Sequence, residues 1–228
     1  MKLFGKILNS RFFRGGAFVS LNTVSGVAFG FAQIALLGRL LPPAELGAFF
    51  IVRSTASLGA AFGSFGINQM IVRYISEHVA RGEHGDAKRV IRSTTVTVVA
   101  MCFLVGMVFL TVNGFLADKT GVEFLHDQAP TIIALMLAMA LEMLTPGIFR
   151  GYKEFGRMAL YTQLSRVLFV GVLAVAAAMG VKYELKFVTD TLLWSTALGV
   201  VFSFVDMQVR LPGGVHSICL SMRCVNAA

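Results

Sequence analysis

An all-α bundle of about six membrane-crossing helices is the fold class this sequence predicts, and three observations predict it. Hydrophobic residues make up 56% of the 228-residue chain and charged residues 14%, with a mean hydropathy of +0.76. Soluble domains run at about 45–50% and about 25%, and a water-soluble fold this apolar has too little polar surface to cover itself. Lipid removes that requirement, because each helix can turn apolar side chains outward. Several windows also reach the roughly 20 apolar residues that one crossing helix needs. Finally, the formal charge of +8 is spread over the segments between apolar runs, as membrane topology requires. No aromatic-plus-basic stripe for stacking bases accompanies it, which argues against nucleic acid as a partner.

The first span, 16–37, follows Lys2, Lys6, Arg11 and Arg14. Its apolar run is too long for a signal peptide and no A-x-A-like site closes it, so it reads as an uncleaved helix. It carries Asn22, Thr23, Ser25 and Gln33, and the second span, 47–70, carries Arg53, Asn68 and Gln69. Helices that polar do not face lipid all round. After the second span, Ile71 to Ala80 continues helically until Gly82 and Gly85 break it. Asp86 then opens a short surface helix ahead of Lys88, Arg89 and Arg92, acid first and base last, which suits the helix dipole. That segment reads more simply as a solvated loop than as a lipid-headgroup site. The remaining spans are 94–116, 131–149, 162–181 and 187–209, so that residues 1–209 form one membrane lobe. The last stretch, 210–228, has no helical period and reads either as a disordered tail or as the abnormal end of a longer reading frame.

Loop charge sets the orientation. The N-terminal segment, the second loop (Arg73, Arg81, Lys88, Arg89, Arg92) and the fourth (Arg150, Lys153, Arg157) are basic. The odd loops mix Arg39 with Glu45, Lys119 with Asp118, Glu123 and Asp127, and Lys182 and Lys186 with Glu184. Both termini therefore face the cytoplasm.

Two charged residues stand inside spans. Arg53 would cost roughly 2.5–3.5 kcal/mol at a helix centre. It lies less than two turns from the outer end of span 47–70, so snorkelling to the interface and lining a polar cavity are equally good readings. Arg39, Arg73, Arg150 and Arg166 lie near span ends and carry the same ambiguity, with Arg39 reading best as an interface anchor. Glu142, mid-span in the fourth helix, fits proton coupling or structural pairing with an arginine. Gly26 and Gly30, and Gly59 and Gly63 with Gly66 after them, form G-x-x-x-G pairs. Close helix packing is their simplest meaning, and bending during a transport cycle is the alternative.

Enzyme chemistry has no signature here: there is no G-x-S-x-G, H-E-x-x-H or P-loop, and His78, His84, His126 and His216 are scattered. Cys102 lies in an apolar run and reads as a small buried hydrophobe. Cys219 and Cys224 have no zinc-spaced partners, so neither a metal nor a cofactor is expected.

The run GRLLPPAELGAFFIVRSTASLGAAFGSFGINQMIVRYISE (38–77) resembles the oligosaccharide flippase family, the polysaccharide biosynthesis exporters of the multidrug/oligosaccharidyl-lipid/polysaccharide superfamily. Its R-x-L-x-P turn is Arg39, Leu41 and Pro43, and the following E-x-G-x-F is Glu45, Gly47 and Phe49. Phe65, Gly66 and Ile67 then lead to Arg73, and PGIFRGYKEFGRMALYTQLSRV (146–167) is similar to the family's link between its fourth and fifth helices. The resemblance covers roughly residues 10–205 and rests on order and spacing. It implies one N-terminal lobe of a two-lobed, all-helical transporter in the bacterial cytoplasmic membrane, flipping undecaprenyl-diphosphate-linked oligosaccharide by alternating access. The implied partners are that lipid-linked sugar, membrane lipids, and a second lobe or a second copy of this chain. The cargo needs a wet cavity with positive charge for the diphosphate, for which Arg53 is the first candidate and Arg39 and Arg73 the next. A drug exporter of the same superfamily, and an inactive membrane remnant or scaffold, are the rival expectations.

Overall fold

The computed structural model describes residues 11–120, 128–179 and 184–210. The tail expected from 210 lies, beyond Arg210, outside the described residues, as do Cys219, Cys224 and most of the third loop. The described residues form seven helices and no strand: α1 (Arg11–Leu40), α2 (Pro43–Ser64), α3 (Ile67–Ala80), α4 (His84–Thr120), α5 (Ala129–Gly151), α6 (Phe155–Ala178) and α7 (Leu185–Arg210). All but α3 are long and apolar enough to cross a membrane. The protein is thus a multi-pass membrane helix bundle.

Helix bounds differ from the sequence expectation where turn chemistry intervenes. α2 begins at Pro43, not 47, because proline suits the first helical turn, where its missing N–H has no partner to lose. Glu45 in that turn complements the dipole. The expected span 47–70 is two helices: Phe65 (φ 28°) and Gly66 (φ 74°) adopt positive φ and break the chain between α2 and α3. Conversely, the expected surface helix at Asp86 and the third span are one helix, α4. Gly82 (φ 77°) makes the turn before it, while Gly85 lies inside it. α6 starts at Phe155, one turn and more ahead of the expected 162, immediately after the Lys153 turn (φ 61°).

α5 is the pillar. It packs on α2, α3, α4, α6 and α7, and 56% of its membrane window is buried against 11% for α1. Such crowding requires small residues, and α5 supplies a G-x-x-x-G pair, Gly147 and Gly151, that sequence reading passed over. A β-carbon on Gly147 would stand 2.9 Å from Ile71 Cγ2 and 3.0 Å from the Asn68 carbonyl oxygen. One on Gly151 would stand 2.7 Å from the Ile75 side chain. Ile71 and Ile75, both buried, thereby dock α3 onto the end of α5. The Gly59/Gly63 pair also packs, Gly59 against Met136 and Gly63 against the buried Cys102. The first-span pair does not act as a pair: Gly26 lies against Arg166, and Gly30 faces open space.

Two apolar cores form around α5. One contains Ile71, Ile75, Leu144, Ile148, Phe149 and Met158, with Phe149 stacked on Tyr161 at 5.4 Å between ring centroids. The other contains Leu37, Phe49, Ile132, Leu135, Phe169 and Leu173, with Phe49 stacked on Phe169 at 6.5 Å. Glu142 lies in the α5 stretch of the first core, between Ala140 and Leu144.

Filling the α3–α5 contact should destabilise the bundle. We expect Gly151→Val to cost about 1–3 kcal/mol, the usual penalty for overpacking, read as a lower unfolding temperature of the purified protein in detergent. Gly30→Ala, with nothing within 4 Å of its β-carbon, should leave that temperature unchanged.

Candidate functional site

The bundle holds a cavity of about 320 Å3. α1 contributes Gln33, α2 contributes Arg53 and Ser57, α5 contributes Glu142, α6 contributes Ser165 and Arg166, and α7 contributes Thr196. Met139, Met143, Phe169 and Leu192 complete the wall.

The three charged residues share a level. Arg53 is midway along α2, Glu142 near the middle of α5 and Arg166 midway along α6. At 1.5 Å per residue each lies on the order of 15 Å from either end of its helix. No stem reaches water over that distance; both arginines border the cavity instead, Arg53 half-buried and Arg166 on its exposed rim. The longer α2 is what decides Arg53: counted from Pro43 it is central, and the snorkelling alternative has no nearby interface to reach.

Hydrogen bonds set the site's shape. Ser165 Oγ donates to Glu142 Oε1, tying α6 to α5. Gln163 Nε2 donates to the Asn22 carbonyl oxygen at 2.7 Å and to Asn22 Oδ1 at 2.8 Å, and Thr162 Oγ1 donates to Oδ1 at 3.2 Å. These bonds hold α1 on α6. The bare Gly26 backbone then makes room for the Arg166 guanidinium, which a β-carbon there would strike. Gln33 is 6% exposed and its Nε2 has no hydrogen-bond partner. With two guanidiniums against one carboxylate, the wall carries one formal positive charge in excess. No ion pair among the described residues joins Glu142 to Arg53 or Arg166, and both arginines keep donors for another oxygen acceptor. α1 leans on α6 and makes far less contact with α2.

Of the residues singled out in the sequence, Arg53 and Glu142 meet in this cavity. Arg39, exposed at the end of α1, and Arg73, exposed on α3, lie outside it. Arg166 joins the site although sequence reading placed it near a span end; the polar run Thr162, Gln163, Ser165, Arg166 inside an apolar helix was the available signal. Gln33 was noted only as a mark of polarity. Elsewhere, ligand-type atoms of His78, Glu83 and Asp86 lie within 4.8 Å of one another. They are already engaged around the Gly82 turn: His78 Nδ1 meets Glu83 Oε2 at 2.9 Å, and Arg89 pairs with Asp86 at 3.5 Å.

Comparison with known proteins supplies the family. The family described as "Polysaccharide biosynthesis protein" matches residues 12–206. The chain is similar to Stage V sporulation protein B of Bacillus subtilis (strain 168), 22% identical over 185 residues, which are 79% of this chain and 35% of that protein. The chain thus spans about a third of the length of this curated relative. No solved structure matches.

Water access to the cavity is directly testable. With the native cysteines replaced by serine, a Ser57→Cys variant should react readily with a membrane-impermeant, water-soluble thiol reagent. Leu58→Cys, one residue on and on the 62%-exposed apolar face, should react several-fold more slowly in a bilayer.

Proposed function

The chain belongs to the polysaccharide biosynthesis protein family, and from that premise we propose that it is a flippase lobe moving undecaprenyl-diphosphate-linked oligosaccharide across the bacterial cytoplasmic membrane. Both termini then face the cytoplasm, in keeping with the basic N-terminal segment and even loops. Residues 1–209 act as one membrane lobe, and the open side of the cavity is closed by a second lobe or by a second copy of this chain.

One observation carries the reading: two mid-depth guanidiniums, with the unpartnered amide of Gln33, face one cavity inside an apolar bundle. A diphosphate needs such groups. Guanidinium–phosphate hydrogen bonds are charge-assisted and frequently bidentate, and they gain strength where water is scarce. The sugar occupies the wet cavity while the polyprenyl tail stays in lipid beside it. Arg53 and Arg166 hold the diphosphate, and Arg39 and Arg73 act as steering charges on the outer and inner approaches. Glu142 is the counter-charge that the Ser165 hydroxyl orients. It keeps the arginines from holding the cargo so tightly that release fails, since conduction through a site requires that binding be escapable.

A drug exporter is the second reading, favoured by the Met139, Met143, Phe169 and Leu192 wall and by Glu142, which would suit an apolar cation. The two readings separate on charge. The purified chain should bind undecaprenyl diphosphate and not undecaprenol, and Arg53→Ala or Arg166→Ala should weaken that binding about ten- to a hundred-fold, the effect of losing a hydrogen bond to a charged group. Arg39→Ala and Arg73→Ala should have smaller effects. In a flippase-deficient strain with a matched sugar, the same two cavity variants should depress surface polysaccharide relative to the unaltered chain. Equal binding of undecaprenol, or preference for a lipophilic cation, would overturn the assignment. Tight diphosphate binding without restored polysaccharide would mean that a separate second lobe is required.

A further inference from the structure

A second and larger hollow, about 620 Å3, lies away from the cavity, between the first turns of α4 and the last turns of α7. Its volume falls within the roughly 300–1,000 Å3 of small-ligand sites. Each wall is a single helical face. Lys88, Arg92 and Val96 repeat every fourth residue on α4, with Ile91 and Thr95 beside them, and α7 answers with Phe204, Met207 and Gln208. The polarity is graded along α4. The cations come first, and the wall is apolar by Val96, about 12 Å further along at 1.5 Å per residue. The headgroup layer on one side of a bilayer is only about 5–8 Å deep, so a groove of that length starts among headgroups and ends among acyl chains.

The charges at its mouth are available. Lys88 and Arg92 have no carboxylate within ion-pair distance among the described residues. The acids nearest in sequence are committed elsewhere: Asp86 meets Arg89 at 3.5 Å, and Asp206 meets Arg157 at 3.9 Å. The groove therefore presents two cations above an apolar floor. A soluble anion would use only the first half of that surface, and an uncharged lipid only the second.

We propose that the α4–α7 groove binds an anionic phospholipid, its phosphate on Lys88 and Arg92 and one acyl chain against Val96, Phe204 and Met207. The binding holds together two helices that make little direct contact at this end of the bundle. It does not depend on the transport assignment, because none of the residues named here lines the central cavity.

The test is binding of dioleoyl-phosphatidylglycerol and dioleoyl-phosphatidylcholine to the purified full chain in detergent, by native mass spectrometry. Two juxtamembrane cations should give the anionic lipid about a ten- to thirty-fold preference. The double variant Lys88→Gln/Arg92→Gln should reduce that preference to near parity. Arg89→Gln, whose side chain is 85% exposed and paired with Asp86, should retain it. Val96→Trp, which fills the apolar half and keeps both charges, should weaken binding of the anionic lipid. Folding of each variant is checked by monodisperse elution and unchanged helical content. Equal affinity for the two lipids, or an unchanged preference in the double variant, overturns the proposal. Complete displacement of the lipid by inorganic phosphate also overturns it, since that identifies a soluble-anion site.

Discussion

Five helices pack around α5, and the close approach of α3 to it at Gly147 and Gly151 is the contact on which the rest of the bundle depends. Helices in lipid gain little from the hydrophobic effect when they meet, because acyl chains are as apolar as leucine; close backbone packing supplies the attraction. The glycines let the Ile71/Ile75 face of α3 seat on α5, which fixes α3 and, through the turn at Phe65 and Gly66, the direction of α2. α2 in turn carries Arg53. The position of Arg53 at mid-depth is therefore set in part by side chains that are absent near one end.

With α5 surrounded, its polar middle has only one way to avoid lipid. Two apolar cores form along it, and Glu142, flanked by Ala140 and Leu144 of the first, has its carboxylate bonded to Ser165. A charged group at this depth costs several kcal/mol unless paired or wetted. The bundle meets that constraint by gathering the mid-depth charges of α2, α5 and α6 (Arg53, Glu142 and Arg166) around one cavity. The exposed Phe103, Leu104 and Val108 of α4 and Phe31 and Ile34 of α1 belong to the same arrangement: they are the lipid face.

α1 is the least integrated element. Toward its start it is held by polar contacts, Asn22 to Thr162 and Gln163 with Gly26 yielding space to Arg166, and toward its end by Leu37, buried in the second apolar core. Hydrogen bonds between membrane helices average well under 1–2 kcal/mol each, so the polar part of this contact is weaker than a seat made by glycine packing.

Composition and apolar window length alone determined that the chain is an all-α membrane bundle of six crossing helices, because the thickness of a bilayer and the need to satisfy backbone hydrogen bonds leave little else for such a sequence. The same local logic marked Arg53 and Glu142, since a charge inside an apolar run is anomalous wherever the helix ends up. It did not bring Arg166 to them, because a span drawn from hydropathy began at 162 and left that arginine near an end, whereas the observed α6 begins at Phe155. Nor could it separate the glycine pairs: Gly26/Gly30, Gly59/Gly63 and Gly147/Gly151 share one spacing, and only the partner helix distinguishes a packing face from a cradle for a guanidinium or from open space. Spacing along a helix is a one-dimensional property that a sequence carries in full. Which faces meet, and hence which of several inward charges share one cavity, depends on how six helices pack at once, and that was decided only in the tertiary structure.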